Sequence, residues 1–236
     1  MNRFGSEVKV RPVDKGSAPA AYARYEDAGP DLQNRLGDYC SYCERQIETN
    51  LAVEHIQPKS RVPALRLDWS NFLLGCVNCN SRKGNTPVNL PDYLWPDCDN
   101  TLRAIEYVRG GLVQPNPTLS TQVQAKAQAT IALTGLDRYP GSPGRKPSSS
   151  DRRWNKRREL WQLAERDRQR LATNDSSVVR ELIVENALGR GMFSIWWTAF
   201  AGDADMRRRL REAFLGTHAG SFDVNEDLVA RAGGQV

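Results

Sequence analysis

Polar and apolar positions alternate over short stretches in the first part of the chain and give way to long helical periodicity later. Residues 1–30, interrupted by Pro12, Gly16, Pro19 and Pro30, show no period and read as an irregular arm. Asp31 to Leu36 predicts a short helix ended by Gly37. Leu51 to Ile56 alternates as a strand does, Asn71 to Leu74 predicts a second strand, and Val77 to Lys83 a short helix stopped by Gly84. Ala104–Val108 and Leu112–Val113 flank Gly110-Gly111 as a strand pair, and residues 119–134 have a helical pattern. The stretch YPGSPGRKPSSS, residues 139–150, reads as a linker or flexible loop. Two strong helices over about 151–172 and 177–200, then a shorter one near 203–215, complete the chain. No internal repeat is present, and the order predicts an α+β protein: a small compact unit, then a largely helical extension.

Composition places the chain among ordinary soluble globular proteins, with 236 residues, 39% hydrophobic and 26% charged. The opening MNRFGSEVKV has no apolar core, so no signal peptide is expected. The most apolar stretch, Met192 to Ala201, is too short to span a bilayer. A cytoplasmic location without membrane contact follows as the expectation. Five cysteines in a reducing compartment favour metal over disulfide.

The net charge of +5 matters less than where it lies. Residues 145–170 hold ten Lys/Arg against four acids, and Arg207, Arg208, Arg209 and Arg211 form a second cluster. Such clusters suit a phosphate backbone, but solvated helix faces and acidic protein partners produce them too.

Cys40-Ser41-Tyr42-Cys43 and Cys76-Val77-Asn78-Cys79 are two CxxC knuckles separated by 32 residues. That spacing can present four thiolates tetrahedrally, as in a closed structural zinc site, with a functional loop between the knuckles. A redox role would need one CxxC in a thioredoxin-like βαβ setting, which is absent. Cys98 is left over and reads as a free thiol. Only two histidines occur, His55 and His218, and His55 falls inside the framed segment beside Glu54. On an alternating strand those two neighbours face opposite sides, and Pro58 then breaks the strand.

The run from Asp38 to Asn85 carries Glu54-His55-Ile56-Gln57-Pro58-Lys59, Trp69-Ser70-Asn71-Phe72-Leu73-Leu74 and Cys79-Asn80-Ser81-Arg82-Lys83-Gly84. It resembles the HNH (ββα-metal) endonuclease family in its four-cysteine zinc form. The resemblance implies a ββα unit holding one catalytic divalent cation, Mg²⁺ or Mn²⁺, beside the structural Zn²⁺. By motif position His55 would be the general base, Glu54 and Asn80 the protein ligands of the catalytic cation, and Asn71 a brace that orients His55. Glu54 departs from the family, where Asp is more frequent. Lys83, or Arg82 beside it, could position a backbone phosphate; the bland reading of the pair is a solvated helix end.

Beyond this core, the hairpin Glu106 to Val113 and Ala129-Thr130-Ile131 are similar to HNH proteins of Septu-type and some retron bacterial defence systems, which work with an ABC/SMC-type ATPase. The domain organisation expected is therefore an N-terminal arm (1–37), an HNH nuclease core (38–90) and an extension (91–236) that docks a partner or grips nucleic acid. Within it Arg152, Arg153, Arg157 and Arg158 are candidate nucleic-acid contacts; Trp154 and Trp161, which could stack bases beside them, read as core, and Phe193, Ile195, Trp196 and Phe200 as packing or a partner interface. The resulting expectation is a DNA endonuclease of an anti-phage system. The same site acting on RNA, or a non-catalytic zinc-ribbon binding module, are the alternatives. A zinc-ribbon module needs neither Glu-His between its knuckles nor Asn after the last cysteine.

Overall fold

A computed structural model describes residues 10–236. The predicted ββα unit is present. Strand β1 (Ala52–His55) pairs antiparallel with β2 (Phe72–Gly75), with Glu54 opposite Leu73 and His55 opposite Phe72. Helix α1 (Gly29–Leu36) buries Leu32 and Leu36 against both strands and ends at Gly37. Helix α2 (Val77–Lys83) follows β2 directly; Gly84, at φ +51, stops it in a conformation that L side chains rarely adopt.

A short helix α3 (Thr101–Ala104) leads into a second hairpin, β3 (Ile105–Val108) with β4 (Leu112–Pro115). Helix α4 (Thr121–Thr134) starts at Ser120, whose hydroxyl accepts from the Val123 N–H, and packs on β4 and α2. Residues 139–150 form no helix or strand, as the Pro-Gly-Ser content predicts. Helices α5 (Arg153–Thr173), α6 (Ser177–Leu188), α7 (Phe193–Ala199) and α8 (Ala204–Ala213) make the extension. Trp161, Phe193, Ile195, Trp196 and Phe200 are buried, as the core reading expects. Among the described residues no helix is long and apolar enough to cross a membrane.

Two expectations are corrected by the fold, the unbroken helix over 177–200 and the surface role of two arginines. The single helix over 177–200 is two helices, broken between Leu188 and Phe193. The first knuckle intervenes there: Met192 N–H donates to the Glu44 carbonyl at 2.7 Å, and the Glu44 carboxylate accepts from the Ser194 N–H at 3.1 Å. That carboxylate caps α7 and, by burial, has its pKa pushed up to about 7.

The irregular arm packs against the rest of the chain. Val10 and Val13 are buried, and Lys15 Nζ donates to the carbonyls of Ser70 (2.8 Å) and Phe72 (2.7 Å) while pairing with Asp97 at 2.6 Å. Residues 1–9 of that arm lie outside the described residues.

Arg153 and Arg157 are not surface contacts for nucleic acid, being 2% and 1% exposed. Arg153 pairs with Asp151 at 2.7 Å and donates to the carbonyls of Thr134 and Gly135; Arg157 donates to those of Gly111 and Leu136. Unsatisfied carbonyls at the ends of neighbouring elements draw both guanidinium groups inward. The second basic cluster is largely neutralised by its own acids, with Arg209 on Asp205 at 2.7 Å and Arg211 on Glu226 at 2.8 Å.

Replacing Lys15 by Met strands a buried carboxylate and two carbonyls of the β2 region. The expected loss is about 3–5 kcal/mol in chemical denaturation of metal-loaded protein. A detached arm would give no change.

Candidate metal centre and active site

Cys40 and Cys43 lie in the turn after α1, while Cys76 occupies the N-cap of α2 and Cys79 its first turn. Their four buried Sγ atoms all lie within 4.8 Å of one another, and Cys43 and Cys76 are 3.7 Å apart. A tetrahedral ion bonded at about 2.3 Å requires sulfurs roughly 3.8 Å apart, so the donor set fits one metal without rearrangement. The Cys76 N–H donates to Cys40 Sγ at 3.3 Å, and Arg153 Nη1 donates to Cys79 Sγ at 3.1 Å. Both contacts oppose the effect of burial, which pushes the Cys40 and Cys79 thiols up. Cys98, the remaining cysteine, is exposed, and burial of its sulfur with nearby Asp97 and Asp99 pushes its pKa up to about 11.

A cleft of about 200 Å³ opens at the end of β1, lined by Glu54 and His55, by Asn80 and Gly84 of the α2 region, and by Tyr25, Lys59 and Asn85. Strand alternation puts Glu54 and His55 on opposite faces, yet both reach this cleft because it wraps the end of the strand.

The His55 ring is wedged between Tyr25 (centroids 4.8 Å apart) and Phe72 (5.2 Å), both at edge-to-face angles. Its Nε2 lies 3.0 Å from the Arg66 carbonyl oxygen. A carbonyl only accepts, so Nε2 carries the proton and Nδ1 keeps a lone pair. Burial, and then the charges of Lys59 and Lys83, lower the His55 pKa and so favour the neutral ring.

The Arg66 carbonyl is itself positioned. Asn71 Oδ1 accepts from the Gln57 N–H at 2.7 Å, while its Nδ2 donates to the carbonyls of Gln57 (2.9 Å) and Leu65 (3.2 Å). One side-chain amide thus pins both ends of the loop around His55.

Glu54 is buried, and burial raises its pKa against the opposing charge of Lys83. Lys83 is 1% exposed, pairs with Glu54 Oε1 at 3.0 Å and donates to the His55 carbonyl at 2.6 Å. This overturns its reading as a phosphate contact: the ammonium is consumed inside, tying α2 to β1. The space exists because residue 75 is glycine; a β-carbon there would meet Glu54 Cβ at 2.9 Å. The Asn80 side chain, in contrast, makes no hydrogen bond among the described residues and faces the cleft.

The family model described as HNH endonuclease matches residues 40–86. Residues 40–86 are an HNH endonuclease domain. The Septu protein PtuB of Bacillus thuringiensis is 40% identical over 78 residues, a match covering 30% of this chain and 30% of that protein. The chain thus spans less than a third of the length of that relative.

Around the HNH domain the structure adds residues that motif reading passed over. Lys59 is exposed at the cleft rim with Nζ 3.6 Å from the Tyr25 ring centroid. It stands in the quoted Pro58-Lys59 step, a signal the sequence did carry, whereas Tyr25 comes from the irregular arm and had none. Arg82 is exposed on α2, while Arg152, at the N-cap of α5, and Arg158, on that helix, are exposed and line no part of the cleft.

Cys79→Ser removes one of four donors and the Arg153 contact together. Elemental analysis should show tightly held metal falling from about one ion per chain towards none, and hydrogen exchange should show α2 losing protection. Unchanged metal content and protection would contradict a four-thiolate centre.

Proposed function

We propose that this chain is a metal-dependent endonuclease that hydrolyses phosphodiester bonds of DNA, the effector of a bacterial antiviral defence system working with an ABC/SMC-type ATPase. The observation that carries the enzymatic part is the convergence of His55, Glu54 and Asn80 on one cleft, with His55 Nδ1 left unprotonated by the Nε2 contact to Arg66. The defence role and the ATPase partner rest on the likeness to the Septu protein.

Two ions fit two donor chemistries. The buried thiolates suit Zn²⁺ in a structural role. Glu54 and the unengaged amide of Asn80 are oxygen donors suited to Mg²⁺ or Mn²⁺. When bound there, the hard cation supplies counter-charge to the phosphodiester as negative charge builds on it.

The chain's own residues do the rest. His55 Nδ1 takes the proton from the attacking water, and its Nε2–H, held by the Arg66 carbonyl, stabilises the imidazolium that results. Asn71 keeps that carbonyl in place through Leu65 and Gln57. Lys83 holds Glu54 as a carboxylate in a buried setting. Lys59, free to leave the Tyr25 ring face, meets the phosphate at the rim.

His55→Gln retains an amide that can donate to the Arg66 carbonyl, so the fold should persist. Mg²⁺- or Mn²⁺-dependent cleavage should fall by about 10²-fold or more, with metal content and melt close to those of the parent. The assay is run on DNA and RNA, with and without the ATPase. Full cleavage by the variant would remove His55 from the mechanism, and cleavage of RNA with DNA left intact would reassign the substrate.

A further inference from the structure

Gly135, the residue that ends α4, gathers three arginines. Its φ of +64 is left-handed, and a β-carbon there would lie 2.8 Å from Arg82 Cγ and 3.2 Å from Arg138 Nε. Its carbonyl accepts from Arg153 Nη2 at 3.0 Å. Two arginines from different elements, one in the last turn of α2 and one in the turn after α4, therefore converge on a single backbone position that only glycine leaves open.

The three charges are not treated alike. Arg153 is matched by Asp151 and by the Cys79 sulfur. Arg82 and Arg138 have no acidic partner within ion-pair distance among the described residues. The acid next to Arg138, Asp137, is taken by Arg145 at 2.8 Å. Partial burial, and then the charge of Arg82, lower the pKa of Arg138. Asp137 and Asp151 offset that repulsion only from a distance, each being paired to another arginine, and an anion seated between Arg82 and Arg138 removes what is left of the cost.

The position relative to the cleft narrows the choice of anion. At 100° per residue, Arg82 and Asn80 lie on nearly opposite flanks of α2. A helix with side chains is about 10–12 Å across, so the arginine pair lies farther from the cleft than one nucleotide step. A free anion in the cleft would not touch it, whereas a polymer crossing α2 would touch both.

We propose that Arg82 and Arg138 form a second phosphate-binding site, which takes a backbone phosphate of the nucleic acid other than the one being cut. The proposal rests on the nuclease reading of the cleft. Arg138 lies outside the HNH domain, so the connection to the extension contributes to substrate grip while the buried Arg153 and Arg157 do not. The phosphate belongs either to the cut strand or to its complement, and single-stranded and duplex probes separate the two.

The test uses the full chain loaded with metal. Binding of short single-stranded and duplex oligonucleotides is followed by fluorescence anisotropy on a His55→Gln background across a salt series. Replacing both arginines by Ala should weaken binding about tenfold and flatten the salt slope by about 0.9 for each duplex phosphate that is no longer neutralised. Arg82→Lys with Arg138→Lys should restore the slope. Weaker binding of both probes assigns the phosphate to the cut strand, and weaker binding of duplex alone assigns it to the complement. In the His55 parent, hydrolysis of bis(p-nitrophenyl) phosphate, which offers no second phosphate, should be unchanged by the Ala pair while KM for the oligonucleotide rises. An unaltered salt slope on both probes, with metal content and melt preserved, overturns the site. A parent that hydrolyses neither substrate sinks the nuclease reading instead, and the binding series still reports on the arginines.

Discussion

Four thiolates sharing one divalent ion carry a net charge of about −2, and a protein interior holds that charge only where cations and N–H groups surround it. This constraint organises much of the molecule. It draws Arg153 in from α5 to within 3.1 Å of Cys79, and it places the Cys76 N–H on Cys40. Arg153 in turn holds the C-terminal end of α4 through the Thr134 and Gly135 carbonyls. The HNH domain and the helical extension are thereby joined through the charge balance of the metal centre as well as through one shared hydrophobic cluster.

The cleft beside Glu54 and His55 inherits its geometry from the same centre. Cys76 and Cys79 anchor the start of α2, so the helix leaves the metal with Asn80 towards the cleft and Lys83 towards the interior. Lys83 then fixes Glu54 and the His55 carbonyl from beneath. Glutamate at position 54 is long enough to reach this buried ammonium while still lining the cleft. On the other side, Asn71 and Arg66 set the tautomer of His55. The cleft-facing side chains are thus held by groups behind them, which fixes the geometry of the cleft in advance.

The strands, the two knuckles and the helix stop at Gly84 were legible in the residue pattern because each depends on neighbours a few positions away: alternation, CxxC spacing, a glycine after an apolar helix face. The pairing of Glu54 with His55 between the knuckles was legible for the same reason. Tyr25, by contrast, lies thirty positions from His55 in a segment with no period, and nothing local marks it as a wall of the cleft. The break between α6 and α7 was equally hidden, since it is imposed by Glu44 from the first knuckle.

By itself, then, the sequence determined the four-cysteine donor set and the ββα order. Only the tertiary structure decided what each cation does. Arg152 and Arg153 are adjacent and chemically identical, yet one is in solvent and the other is bound to Asp151 and a cysteine sulfur. Arg82 and Lys83 divide in the same way, the first exposed over Gly135 and the second buried on Glu54. A charge is a property of the residue, but whether that charge is spent inside or offered outside depends on the carbonyls and carboxylates that distant parts of the chain bring to it.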